Sequence, residues 1–470
     1  MTGGLRLTWV QPEDLLGHEL RQAAEDGRDA HEIRARWLAV GGHLAPTRAG
    51  ASPDPAPAEL RALAEQFLDE LALLSSPLAN DEPSDLPAII AACPTWPTRP
   101  TRPTRQTQPG PRHDPGKDYP HALHAAWLGR AAGCLLGKPV EKLPLTAIRD
   151  LARATGNWPL TTWFTATGVP AELTAAYPWN RRSAANSLAE NIDGMPEDDD
   201  LNYPLLNLLL LQRHTKAFTT DHLARLWLDE LPAGRTFTAE RVAYRNLLSG
   251  IEPPLTARHH NPFREWIGAA IRADIHGWTH PGDPATAAAQ AYRDASLTHT
   301  ANGLYGEMFI AATIAAVAGG RSDVHQSLRT GLSVVPPRSR LARAVRFGID
   351  MALASRGQDF EQAVDRIHAA YGTYHWVHVI PNAALLAAAL THADGDFSGS
   401  ICRAVSGGWD TDSNGATAGS IAGLLAGHPD AVPDRWTAPL KNRLTTSVAG
   451  FDSIGFDTLA HLTHQEALRP

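Results

Sequence analysis

The sequence predicts an all-α fold, a compact multi-helix domain behind a small helical N-terminal extension. Three observations predict it. From His121 to about Gly427, Ala-rich apolar segments recur at helical length and spacing. Glycine and proline punctuate those segments rather than interrupting them. No stretch keeps the two-residue alternation of a half-buried strand, and no fixed repeat period marks a solenoid. A chain of 470 residues with 43% hydrophobic residues can bury one large core.

Composition excludes several classes. The net charge is −8 with no basic block, so nucleic-acid binding gains no support. The three cysteines, Cys93, Cys134 and Cys402, are odd in number and far apart. They suit a reducing compartment rather than a disulfide framework. Met1-Thr-Gly-Gly-Leu-Arg lacks an apolar signal core, and no run of about 18 apolar residues stands out. The expectation is a cytoplasmic protein without a membrane span.

Taken in order, residues 1–93 read as a small helical unit. Pro12-Glu13-Asp14 opens a helix ahead of Leu15, Leu16 and Leu20. From about Ala58 to Leu74, the residues Leu60, Leu63, Phe67, Leu71 and Leu74 fall on one helical face. A helix pair cannot bury that face alone, so the unit should pack on the main domain or on a partner. Residues 94–118, with repeated Pro-Thr-Arg triplets, read as an extended linker. Residues 119–470 form the main domain. Its expected helices are Ala122–Leu136, Leu201–Arg213, Arg264–His276, Pro284–Ala295, Tyr305–Ala318, Arg340–Ala354, Phe360–Tyr371, Asn382–Leu390 and Ala416–Ala426.

Two acidic stretches carry the chemistry. Glu197-Asp198-Asp199-Asp200 precedes the apolar run Leu201–Leu211. Adjacent carboxylates repel and raise one another's pKa unless a cation neutralises them. Taken alone, the stretch also reads as an acidic helix start. Far downstream, Asp410-Thr411-Asp412-Ser413 places two carboxylates at i and i+2 with hydroxyls among glycines. The small-residue segment Asn414–Gly423 that follows allows close helix approach. We read the two stretches as halves of one divalent-metal site, since hard ions take carboxylate oxygens. Gly137-Lys138 is no phosphate loop, because Pro139 stands where Ser or Thr is needed. His375 and His378 lie three apart in Tyr374-His-Trp-Val-His378, but imidazole suits zinc better than the hard ion the carboxylates favour. Trp376 and Trp409 read as walls of the site.

In order and context, Gly129–Glu141, Glu197–Asp200 and Gly408–Ser413 together resemble the ADP-ribosylglycohydrolase family, over roughly residues 121–460. The resemblance implies an all-α domain with two Mg²⁺ ions (Mn²⁺ as a substitute) in a cleft. In the family's first motif, Thr-Asp-Asp-Thr, either Asp198 and Asp199 or Asp199 and Asp200 take the aspartate positions. The second motif, Asp-x-Asp-Thr, matches Asp410, Asp412 and Ser413. Glu141 matches the family's early glutamate beside the metals. Ser296-Leu-Thr-His299-Thr300 resembles the segment whose His approaches the nucleotide. Ile267-Gly268-Ala-Ala-Ile-Arg272 resembles a substrate segment whose usual Asn is missing here.

The resemblance implies metal ligation by Asp198, Asp199, Asp200, Asp410, Asp412 and Ser413, and catalysis by Glu141, Asp199 and Asp410. It implies substrate binding by His299, Gly268, Arg272 and Trp409. The implied reaction is metal-dependent hydrolysis of an N- or O-glycosidic bond to ribose, with ADP-ribose or an ADP-ribosylated target as partner; nucleic acid enters only as such a target. The alternatives are hydrolysis of a small ribosyl compound, and a non-catalytic ADP-ribose-binding or structural role.

Overall fold

The computed structural model describes residues 6–45, 52, 54–97 and 118–470. Most of the expected linker, from residue 98 to 117, lies outside the described residues. Among the described residues there is no β-strand, only isolated bridges such as Trp266 with His378. The chain is all-α.

Its centre is an antiparallel pair of helices, Tyr119–Gly137 and Thr411–Ala426. Both carry glycine every fourth residue on the facing side, at Gly129, Gly133 and Gly137 on one and Gly415, Gly419 and Gly423 on the other. A Cβ at Gly133 would stand 1.8 Å from the Gly415 carbonyl oxygen, and one at Gly419 would stand 2.0 Å from that of Gly129. Backbone therefore packs on backbone, and only glycine permits it. Thr411 Oγ1 closes the end of the seam by donating to the Gly137 carbonyl at 2.8 Å. The seam fixes where Asp410 and Asp412 sit relative to Lys138 and Glu141.

Pro284–Ala295 and Arg340–Ala354 form as expected, and the other long segments form with ends shifted by a few residues, such as Asp199–His214, Ala301–Ala318 and Val379–Ala393. Arg264–His276 is not one helix. Trp266 is extended and bridges His378, a 3₁₀ turn spans Ile267–Arg272, and a short helix spans Asp274–Trp278. Trp266, with φ −86° and ψ 175°, pairs with the segment ahead of Val379, and that tertiary pairing overrides the local helical pattern. Leu145–Ala154, Thr220–Glu230, Thr238–Leu248 and Phe397–Ser406 are helices that the apolar-run criterion missed, because polar and charged residues interrupt their apolar positions. Ala301–Ala318 corrects another expectation. It is long and apolar enough to cross a membrane, yet 94% of it is buried inside the domain, as befits a core helix.

The N-terminal unit packs on the main domain through buried charge. Its helices Pro12–Glu25 and Ala58–Ala72 pack together and bury Leu15, Leu16, Phe67 and Leu71. Glu19 receives Arg264 at 2.7 Å and Arg28 at 2.7 Å. Glu82 meets Arg340 at 2.7 Å, and Arg340 also holds Glu265 at 2.7 Å. Ser84 Oγ accepts the Ala301 N–H at 3.0 Å and so caps the central Ala301–Ala318 helix from outside it. The three cysteines are free and buried.

Candidate metal centre

Two helix starts meet at the end of the glycine seam. Asp198 is the N-cap of Asp199–His214, with Oδ1 accepting the Asp200 N–H at 2.9 Å. Asp410 is the N-cap of Thr411–Ala426. Ser413 Oγ donates to Asp200 Oδ2 at 3.2 Å and ties the two starts together. Carboxylate oxygens of Glu141, Asp410 and Asp412 lie within 4.8 Å of one another. Glu141 leaves the 3₁₀ turn Lys138–Val140 and is gripped by Asn180 Nδ2 at 2.6 Å and Lys142 Nζ at 2.8 Å.

Burial and mutual repulsion set the charge state. Burial, then Asp198 and Asp412, raises the Asp199 carboxyl well above the usual range. Asp410 is raised by burial and by Asp412. Asp412 is pushed up to about 7 by burial, then by Glu141 and Asp198. Asp198 runs the other way. Burial would raise it, but the Lys138 ammonium bonded to its Oδ2 holds it below the usual value. Asp200 is raised by burial despite its Arg130 partner. Six carboxyl groups therefore face three cations, Lys138, Lys142 and Arg130. Such an excess of hard oxygen donors in a partly open site suits divalent cations.

A family model described as ADP-ribosylglycohydrolase matches residues 116–466. The chain belongs to the ADP-ribosylglycohydrolase family. Among solved structures it is similar to a chain titled "ADP-ribosylglycohydrolase-related protein complex", at 18% identity and a TM-score of 0.45, over 75% of this chain and 100% of that chain. No curated protein matches it. Membership in the ADP-ribosylglycohydrolase family supports a hydrolase of glycosidic bonds.

The fold gathers Glu141, Asp198, Asp199, Asp200, Asp410, Asp412 and Ser413 at one place. Their surroundings separate the three consecutive aspartates. Asp200 is committed to protein on both oxygens, to Arg130 Nη2 at 3.2 Å and to Ser413. Asp199 is half-buried and has no such partner among the described residues. The Trp409 ring is 7% exposed and lies flat on His368, with centroids 3.7 Å apart, so packing occupies one of its faces.

Arg272 corrects the substrate expectation drawn from the resemblance. It is wholly buried, with Nε on Asp294 at 2.7 Å and Nη1 on Glu240 at 2.8 Å. A guanidinium so enclosed acts as a structural counter-ion, not as a substrate contact. His299 is buried as well and shares a 2.6 Å hydrogen bond with Thr298 Oγ1, which in turn accepts from Arg272 at 3.1 Å. Gly268 belongs to the same region, since a Cβ there would stand 2.2 Å from Glu240 Oε1. His375 stacks on Trp266, and His378 caps Val379–Ala393 by accepting the Ile380 N–H at 3.2 Å. Neither belongs to the carboxylate cluster.

Four further residues shape the site and were not singled out from sequence. Arg130, wholly buried, donates to Asp200, Asp274 and the Ile271 carbonyl. Lys138, next to the glycine of the seam, pairs with Asp198. Asn382 accepts the Asp410 N–H at 3.1 Å and Asn414 Nδ2 at 2.7 Å, and donates to the Trp376 and His378 carbonyls. Asn180 orients Glu141. The available signal was a lone polar residue in an apolar helix, seen for Arg130 among glycine and alanine and for Asn382 in Ile-Pro-Asn-Ala-Ala-Leu-Leu.

Proposed function

We propose that the protein hydrolyses an N- or O-glycosidic bond to ribose with the help of Mg²⁺, and that it removes ADP-ribose from a modified protein or another ADP-ribosylated target. The observation that carries this reading is the meeting of two acidic helix starts with Glu141, an oxygen-rich donor set, with the Cys134 thiol beside Asp198 and Asp200, that holds more negative charge than its own cations neutralise. That donor set fits Mg²⁺ rather than zinc. Asp198, Asp199, Asp410, Asp412 and Ser413 would hold the metal, with Asp200 bracing the cluster through Ser413 and Arg130. Bound there, Mg²⁺ supplies Lewis-acid polarisation of ribose hydroxyls.

The chain's own groups do the rest. Glu141, held by Asn180 and Lys142, is placed to take the proton of the attacking water. The bond from the anomeric carbon to the leaving nitrogen or oxygen breaks through an oxocarbenium-like transition state. Asn382 fixes the backbone at Asp410, so the donors do not have to reorganise during turnover.

The test is a release assay over defined linkages, with ADP-ribose on arginine, on serine, on nucleic acid and on small acceptors. Release from at least one, lost after exhaustive chelation and in Asp410→Ala, supports the reading. Full activity after chelation would sink it. Turnover of small ribosyl compounds alone would move the substrate from a modified macromolecule to a metabolite.

A further inference from the structure

A second cluster lies two turns along the Asp199–His214 helix from its acidic start. There Asn207 Nδ2 reaches His276, Asp294 and the Arg272 carbonyl, and His276 faces Glu307 at 3.4 Å; these four partners come from four other elements. Each of those four is 0% exposed. Nothing in the cleft chemistry uses them.

The cluster carries more negative charge than its cation balances. Asp294, Glu307 and Glu240 face one guanidinium, that of Arg272. It also carries an excess of acceptors. Neither oxygen of Glu307 has a hydrogen-bond partner, nor does Asn207 Oδ1 or Gln290 Oε1. All four are buried oxygens, and buried polar atoms are costly to leave unmet. Glu307 lies 3.4 Å from His276 Nε2 and 3.8 Å from Arg272, ion-pair contacts without hydrogen-bond alignment. A cation answers the charge excess and the orphaned Glu307 carboxylate at once.

The donor set is consistent with one. Asp294 divides its oxygens. Oδ1 accepts from Arg272, while Oδ2 faces His276 Nε2 at 3.0 Å and Asn207 Nδ2 at 2.5 Å. Ligand atoms about 2.1 Å from a tetrahedral ion stand roughly 3.4 Å apart, near the 3.0 and 3.4 Å spacings from His276 Nε2 to Asp294 and Glu307. Gln290 lies 2.9 Å from His276 Nδ1. With its amide turned so that the orphan oxygen faces that nitrogen, Nδ1–H donates to Gln290 and the Nε2 lone pair points at the carboxylates.

We propose that His276, Asp294 and Glu307 form a second, closed metal site that takes one divalent transition cation of the zinc type. One imidazole with two carboxylates suits zinc better than magnesium. Two positive charges neutralise the cluster's excess when His276 is neutral. The ion ties together Asp274–Trp278, Pro284–Ala295 and Ala301–Ala318 and plays no part in turnover.

The test uses the full chain. The protein is unfolded with a chelator, refolded with or without Zn²⁺, dialysed, and examined by elemental mass spectrometry and thermal unfolding. The expected result is one zinc per chain and a melting temperature raised by about 5 °C or more. Glu307→Gln should lose that zinc, whereas Asp410→Asn/Asp412→Asn should keep it, which separates this site from the cleft. Wild-type protein that retains no zinc and shows no shift overturns the proposal and leaves the cluster held by protons on His276 and Glu307. Zinc retained by Glu307→Gln also overturns it. Should Glu307→Gln not fold, the wild-type arms decide alone.

Discussion

The protein holds two acidic clusters that look alike in composition and differ in placement. In the cleft, Asp198 and Asp410 cap helices, Asp199 is half-buried, and Glu141 hangs from a short turn. Behind it, Asp294 and Glu307 project from within helices, and the whole group is closed to solvent. The first cluster sits where helix N-termini favour anions and keeps partial solvent access at Asp199 and Glu141. The closed cluster has no such access, so it can brace the fold but cannot turn over a ligand. The lesson is that acidic residues become a candidate active site through exposure and exchange with solvent, not through number. Arg130 and Arg272 repeat the contrast. Both are buried arginines, but Arg130 supports the cleft through Asp200, and Arg272 serves only the closed network.

Substitutions separate the two clusters. The largest effect is expected for Asp410→Asn/Asp412→Asn, with glycohydrolase activity falling on the order of 10³-fold while circular dichroism stays native. If activity persists, the cleft is not the reacting centre. Arg272→Gln leaves buried carboxylates unpaired and should cost about 4 kcal/mol in urea unfolding. A stable Arg272→Gln protein with a raised KM alone would return Arg272 to the substrate site.

Gly133→Ala drives a Cβ into the Gly415 carbonyl. It should cost about 3 kcal/mol and lower Mg²⁺ affinity together with stability, because the seam sets the spacing of the cleft. Asn382→Ala should weaken Mg²⁺ binding by about 10- to 100-fold in calorimetry and cost about 2 kcal/mol of stability, since Asn382 positions Asp410 and its loss leaves buried partners unmet.

The smallest effect belongs to the N-terminal unit. Burial, then Glu265, pushes Glu25 up to about 8 from an ordinary value of 4.5. The folded state thus holds this proton more tightly than the unfolded state. Stability is lost as pH rises between about 4.5 and 8, and the loss is complete above that window. Glu25→Gln should therefore be more stable than wild type at pH 8.5, and nearly equal to it at pH 4.5. Equal melting temperatures at both values would contradict the shift.

Helix content and the two acidic stretches were legible from local pattern. Alanine-rich runs set the long helices, and the glycines after Asn414 announced close packing. Arg264–His276 misled because its extended start is fixed by pairing with residues 377–379, more than a hundred positions away. Local sequence could not show that Arg272 and His299 lie buried, for a related reason. A motif records which residues occur together, not which way they face. Lys138 and Asn382 stayed unread because their partners, Asp198 and Asp410, are distant in sequence.

The sequence by itself determined the all-α class, the family and the acidic residues of the cleft, because periodicity and motif are local properties of the chain. Tertiary structure alone decided that two helix starts over two hundred residues apart share one centre. It also decided that Asp199 is half-buried without a partner among the described residues while Asp200 is braced, and that a second acidic cluster lies sealed away from them. The physical reason is that burial, and with it charge state and access, depends on which backbones pack together, and the glycine seam makes that choice only once the chain has folded.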